Sequence, residues 1–111
     1  MELISTVTSK AEQYKIRSGA GAYQMKDFVG TVLEIDKIDQ YITTRSNGEE
    51  AVCTSFITKD GGVYQSLSPT IDKCCKTLFD TFGDDINTVK VRISEGTSKG
   101  GRNFLALEFA L

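Results

Sequence analysis

Between residues 69 and 82 the apolar positions Ile71, Cys74, Cys75, Leu78, Phe79 and Phe82 recur at offsets 0, 3, 4, 7, 8 and 11, with Asp72, Lys73, Lys76 and Asp80 off the stripe. That spacing predicts an amphipathic helix packed on a core. Ser68 can cap it, Pro69 suits the first helical position, and Gly83 suits the residue just past the end. Two of the three cysteines therefore read as core residues of this helix.

The rest of the pattern has the period of strands. Residues 28–44 are rich in strand formers and carry Val29, Leu33 and Ile35 on one parity, then Ile38 and Ile42 on the other. One extra residue near Asp36-Lys37 produces such a switch, because side chains alternate along a strand and an insertion sends those that follow to the other face. Asn47-Gly48 marks a turn before a second strand over 51–58, and Lys59-Asp60-Gly61-Gly62 a turn before a third over 63–67. Pairing Thr58 with Val63 places Val52, Thr54 and Phe56 with Val63, Gln65 and Leu67 on the core face, leaving Ile57 and Tyr64 opposite. Residues 88–93 alternate cleanly and a Gly/Ser-rich turn covers 95–102. Residues 103–111 then point Leu105, Leu107, Phe109 and Leu111 inward, with Lys90, Arg92 and Phe104 outward.

Toward the start, Leu3, Val7, Ala11 and Tyr14 fit one helical face, but the β-branched Ile4, Thr6, Val7 and Thr8 oppose a helix there. A helix is expected only near 9–17, followed by a small-residue loop at Ser18–Ala22 with no Lys-Ser/Thr to make it a phosphate cradle.

Three strands, a helix and two strands, with the first strand long and bent, is the order of the OB-fold, a Greek-key barrel in which that helix plugs one end. A five-stranded sheet with a helix across one face has the same order. The parity switch and the short, evenly spaced strands favour the barrel. The expected architecture is a mainly β, OB-fold-like five-stranded Greek-key barrel over 28–111, with a partly helical or irregular N-terminal extension over 1–27.

Composition narrows the chemistry. The chain has 111 residues, 40% apolar and 25% charged, enough for one domain with a core of its own. It has no histidine, so the usual general base and the commonest zinc ligand are missing, and the spacing of Cys53, Cys74 and Cys75 is not that of metal ligands. Neither a metal nor another cofactor is expected. Glu49-Glu50 and Asp84-Asp85 are adjacent acids in turns with no third group beside them, and Cys53 lacks a neighbouring motif, so a non-enzymatic protein is expected. No basic stretch followed by an apolar signal run opens the chain, which points to a cytoplasmic location without membrane association. A net charge of −2 does not advertise nucleic acid, so any such binding must rest on a local patch.

The segments Tyr23-Gln-Met-Lys-Asp-Phe-Val-Gly30, Val63-Tyr-Gln-Ser-Leu-Ser-Pro-Thr70 and Lys90-Val-Arg-Ile93 with Ser98-Lys-Gly-Gly-Arg-Asn-Phe-Leu-Ala-Leu-Glu108 resemble the small single-stranded-DNA-binding proteins of tailed phages infecting Gram-positive bacteria. The likeness spans most of the chain. It implies an OB-fold coating single strands during viral replication or recombination, assembled as a homo-oligomer, with replication or recombination proteins as further partners. The long tail ending in acidic residues that better known bacterial relatives carry is not expected here.

Independently of that likeness, gripping a single strand requires positive charge for phosphates and aromatic faces for bases. Tyr64, Phe104 and Tyr41 are the candidate stacking residues. Lys90 and Arg92 project from the fourth strand, Lys99 and Arg102 sit on the turn after it, and Arg45 and Lys59 lie on two other turns. A protein-interaction or host-inhibitory module on the same barrel is the alternative, and the charge balance suits it.

Overall fold

The computed structural model describes residues 2–19 and 21–110. Met1, Ala20 of the expected loop and Leu111 of the expected inward face lie outside the described residues. In chain order the elements are helix α1 (Lys10–Arg17), strands β1 (Tyr23–Gln24), β2 (Val32–Thr44), β3 (Glu50–Thr58) and β4 (Val63–Ser66), helix α2 (Pro69–Phe82), then β5 (Lys90–Thr97) and β6 (Asn103–Phe109), with 3-10 turns at Met25–Asp27 and Gly83–Thr88. The strands form one curled, half-barrel sheet in the order β1-β4-β3-β2-β5-β6. α2 lies against β3 and β6. The mostly β, OB-like architecture is as the sequence implies, with a sixth strand, β1, added from the N-terminal segment.

The parity switch is a bulge. β2 pairs Ile35 with Thr58 but Lys37 with Ile57, so Asp36 is the extra residue and Ile35 and Ile38 both point into the core. The first half of β2 pairs with β5 (Leu33 with Val91) and the second with β3, which is how one strand serves both halves of the sheet. Two expectations for this strand fail. It begins at Val32, because residues 28–31 form a turn with Gly30 at φ 95°, and Val29 is exposed there. Ile42 shares the parity of Ile38 yet is exposed, lying beyond the core.

The three hairpin turns share one construction. Arg45, Thr58 and Ser98 each donate a backbone hydrogen bond to the residue four positions on, over 2.7–2.9 Å, and each accepts one from a glycine three positions on, Gly48, Gly61 and Gly101. These glycines have φ of 88°, 89° and 79°. This is the three-residue loop whose last position is left-handed, where a side chain would be strained. Gly62 therefore belongs to the strand pair, opposite Thr58, and not to the turn. The register moves by one residue from the expected one: Phe56 faces Tyr64 and Ile57 faces Val63. A one-residue slip turns every side chain of β4 over, so Tyr64 shares the core face with Phe56, and Gln65 joins Ser55 on the other.

α2 covers the inner face with Ile71 and Cys75, both fully buried, while Cys74, Leu78, Phe79 and Phe82 are half-buried. Its start is capped by backbone alone. Asp72 donates to the Ser68 carbonyl and the Ser68 hydroxyl makes no capping bond. Inside the curl, Met25, Leu33, Ile35, Ile38, Phe56, Ile71, Val89, Val91 and Ile93 form the main core.

The outer face of β2, β3 and β4 is covered as well. Ser5 bridges to Asp39 beside β2, and α1 lays Ile16 over Ile57 together with Val7, a second apolar cluster. β3 is therefore buried on both faces, where the alternation had implied one core face. α1 is capped by the Ser9 hydroxyl, which accepts from Glu12 N. Its contact face differs from the expected stripe, since Ala11 and Tyr14 are exposed and Ile16 is the anchor.

Candidate nucleic-acid interface

Outward residues of β5 and β6 alternate as required of a half-buried hairpin. Arg92 pairs with Glu108, Ser94 with Ala106 and Gly96 with Phe104. A Cβ on Gly96 would run into the Phe104 ring, meeting its Cε2 at 2.7 Å, so the glycine leaves room for the aromatic to lie across the strand. Phe104 stays 39% exposed in that position, enough to offer a face. Lys99 and Arg102 stand exposed on the adjoining turn, and neither side chain makes an ion pair among the described residues.

Lys90 and Arg92 face outward as expected but are partnered. Lys90 Nζ lies 3.4 Å from Glu34 and Arg92 Nη1 3.7 Å from Glu108. Such exposed pairs are loose and screened by salt. They present less free positive charge than the sequence implies, because the acids come from neighbouring strands. Lys59 is exposed at the tip of the β3–β4 turn, with Asp60 beside it accepting from the Thr58 hydroxyl and the Gly62 amide. These bonds hold the Asp60 carboxyl below its usual range.

Tyr64 is placed differently from the outer-face position expected. Because of the register, it sits half-buried at the rim of the core face, in a cluster with two aromatics from the N-terminal segment. Its ring centroid lies 5.2 Å from that of Tyr23 and 5.5 Å from that of Phe28. Neither Tyr23 nor Phe28 is among the stacking residues that the sequence suggests. The parallel pairing of β1 with β4, which sets Tyr23 opposite Tyr64, joins residues 41 positions apart and leaves no local trace.

Tyr41 and Arg45 are engaged elsewhere. Tyr41 lies beneath α1, its hydroxyl 3.3 Å from Gln65 Nε2 and its ring 6.0 Å from the Arg17 guanidinium. Burial first, and then the neighbouring Cys53 thiol, raise the Tyr41 hydroxyl pKa. Arg45 donates from Nη2 to the Leu67 carbonyl at 3.1 Å, tying the β2–β3 turn to the approach of α2.

A buried polar network holds the covering segment down. Gln65 Nε2 lies within 3.0 Å of both the Ile16 carbonyl and the Ser55 hydroxyl. Gln40 Nε2 donates to Thr54 at 3.1 Å and to Asp72 at 2.8 Å, while its Oε1 accepts from Ile4 N. Among the described residues no group of three or more His, Cys, Asp or Glu is placed to hold a metal ion.

Against this geometry, a family model described as phage single-stranded DNA-binding protein, of the phi29 type, matches residues 4–110. The chain belongs to that family. The match takes in the N-terminal covering segment as well as the barrel, so residues 4–27 are part of the family's shared unit. The single-stranded DNA-binding proteins of Bacillus phages phi29 and PZA are each 26% identical over 110 residues, covering 96% of this chain and 89% of the relative. No solved structure matches the chain at a significant level. The family is one of DNA-binding proteins and not an enzyme family, and the resemblance drawn from the sequence holds. Among the described residues no helix is long and apolar enough to cross a membrane.

Proposed function

We propose that this chain binds and protects single-stranded DNA without sequence preference during phage DNA replication or recombination, catalyses no reaction, and works in the host cytoplasm. The observation that carries the reading is the family match over residues 4–110, with relatives that bear this name. The surface supports it. The β5–β6 hairpin offers an uncovered aromatic, Phe104, beside the free cations Lys99 and Arg102, and the β3–β4 turn offers Lys59 next to Tyr64. We assign phosphate contacts to Lys59, Lys99 and Arg102, with lesser ones to Lys90 and Arg92, and base stacking to Phe104 and Tyr64. Tyr41 and Arg45 act behind this surface by holding it in shape. The division into an N-terminal extension, 1–27, and a barrel, 28–111, the assembly into a homo-oligomer on the strand, and replication or recombination proteins as partners belong to the same proposal.

Fluorescence anisotropy with oligo-dT and with a duplex of equal length, over a salt series, tests the reading. Tighter binding to the single strand that weakens as salt rises is expected. Equal affinity for both, or none for either, overturns it and favours the protein-interaction module. The net charge of −2 and the acid partners of Lys90 and Arg92 are what recommend that alternative.

A further inference from the structure

We propose that Tyr23, carried by the N-terminal segment, is a base-stacking residue that shares one cleft with Tyr64, so that the segment covering the barrel also supplies part of the grip on DNA. The inference rests on the single-strand reading above and extends it from the barrel's own strands to the N-terminal segment.

The cleft, of about 380 Å³, lies between the loop at Gly21 and the end of the β3–β4 hairpin at Gly61 and Gly62, with Lys15 of α1 on its rim and Tyr23 and Tyr64 on its wall. The two tyrosine rings are 5.2 Å apart and tilted by 33°, leaving them side by side. Phe28 stands edge-on to both, at 69° to Tyr23 and 89° to Tyr64, and backs the pair from the core side. With this support Tyr23 is fixed in direction yet 47% exposed. A ring held rigidly while half uncovered gives a base a π-face at little entropic cost. Tyr14, 78% exposed and with no aromatic neighbour among the described residues, has no such support.

The floor is kept clear. A Cβ at Gly62 would stand 3.2 Å from Tyr64 Cε1, crowding the edge of the ring that the cleft exposes. Gly21 and Gly61, at φ 72° and 89°, bring bare backbone to the two lips. Asp60, the acid on this cleft, is tied into its turn by the Thr58 hydroxyl and the Gly62 amide. Lys15 carries the charge suited to a phosphate.

Tyr64 also lines a second, smaller cleft with Val32 and Lys59, and Val32 pairs directly with Arg92. On this proposal a strand leaving Tyr23 runs past Lys59, across a cleft that Glu34 and Asp60 also line, toward β5 and the turn bearing Lys99 and Arg102. The N-terminal cleft is one end of that route.

The chain has four tyrosines and no tryptophan, so tyrosine fluorescence reports stacking directly. Titration of the full chain with oligo-dT should show quenching in the wild type. Tyr23→Leu keeps an apolar side chain beside Phe28 but removes the π-face, and should weaken binding roughly 5- to 150-fold, the range given by one base stack. Tyr23→Phe keeps the face and should bind within about twofold of the wild type. It should nevertheless lose part of the absolute quenching, because a stacked emitter has gone. The phenylalanine variant covers the case in which leucine disturbs folding. Wild-type binding with Tyr23→Leu equally tight, or with Tyr23→Phe quenched by the full wild-type amount, overturns the assignment while leaving the single-strand reading intact. No binding by the wild type overturns both.

Discussion

Arg17 closes a two-pronged ion pair on Asp39, with Nε 3.1 Å from Oδ2 and Nη2 2.9 Å from Oδ1. The Asp39 side chain is fully buried, and Oδ1 also accepts from the Ser5 hydroxyl at 2.6 Å. One carboxylate on β2 thus fastens the covering segment at two points, the stretch near residue 5 and the end of α1. Planar guanidinium meets planar carboxylate with good geometry, and the buried charge has no water to fall back on.

Removing Arg17 should therefore loosen the whole segment. Arg17→Ala is expected to lower the unfolding free energy by about 2 kcal/mol, less than the ~3–5 kcal/mol of a fully buried pair because the guanidinium remains 40% exposed. Arg17→Lys should recover only part, since an ammonium cannot make the fork. Urea titration followed by circular dichroism checks this, and an unchanged midpoint for Arg17→Ala would show that the pair does not hold the segment.

The cations of the β5–β6 hairpin should separate by their partners. Replacing Lys99 and Arg102 together with alanine is expected to flatten the dependence of log affinity on log salt by about 1.4, two phosphate contacts at ~0.7 each for a single strand. Replacing Lys90 and Arg92 together should flatten it less, because Glu34 and Glu108 already sit 3.4 and 3.7 Å away. Anisotropy titrations at several salt concentrations read both slopes. Equal slope changes would mean that DNA displaces the acids and recruits all four cations.

Thiol chemistry should follow burial. Burial pushes the Cys75 thiol up to about 12 from an ordinary value of 9, and raises Cys53 in the same way. Cys74 is half-buried on the groove between α2 and β6. Alkylation of the native chain at pH 8, read by mass spectrometry, should label Cys74 first and reach the other two only in urea. The sign of the pH effect follows from proton counts. Between pH 9 and 12 the unfolded chain gives up a thiol proton that native Cys75 keeps, so the stabilisation is full below pH 9 and is lost as pH rises toward 12. Thermal melts should fall across that window, and by less in Cys75→Ala when each variant is compared with its own midpoint at pH 8. Identical alkaline losses in the two proteins would exclude Cys75 as a source.

Whatever depended on neighbours along the chain could be read from the residues alone. The helix at 69–82 was legible because its stripe, its proline and its terminal glycine act within a few turns. The bulge at Asp36 was legible because a parity switch in a strand has few other causes. The outward placement of Lys90, Arg92 and Phe104 followed from simple alternation, and the order of the elements was enough for the fold class.

What only the tertiary structure decided lies in contacts between distant segments. A turn shorter by one residue than the glycine pair implies moved Tyr64 from the outer face to the rim of the core. Glu34 and Glu108 met Lys90 and Arg92 across strands, which took free charge from the expected patch. The N-terminal segment, whose apolar spacing is sparse and β-branched, found its place through Asp39, Gln65 and the β1–β4 pair and not through any periodicity of its own. Local periodicity reports which face of an element is apolar. The partner that covers the face, and the side chains brought together at its edge, depend on the closure of long loops, and no window of the sequence carries that information.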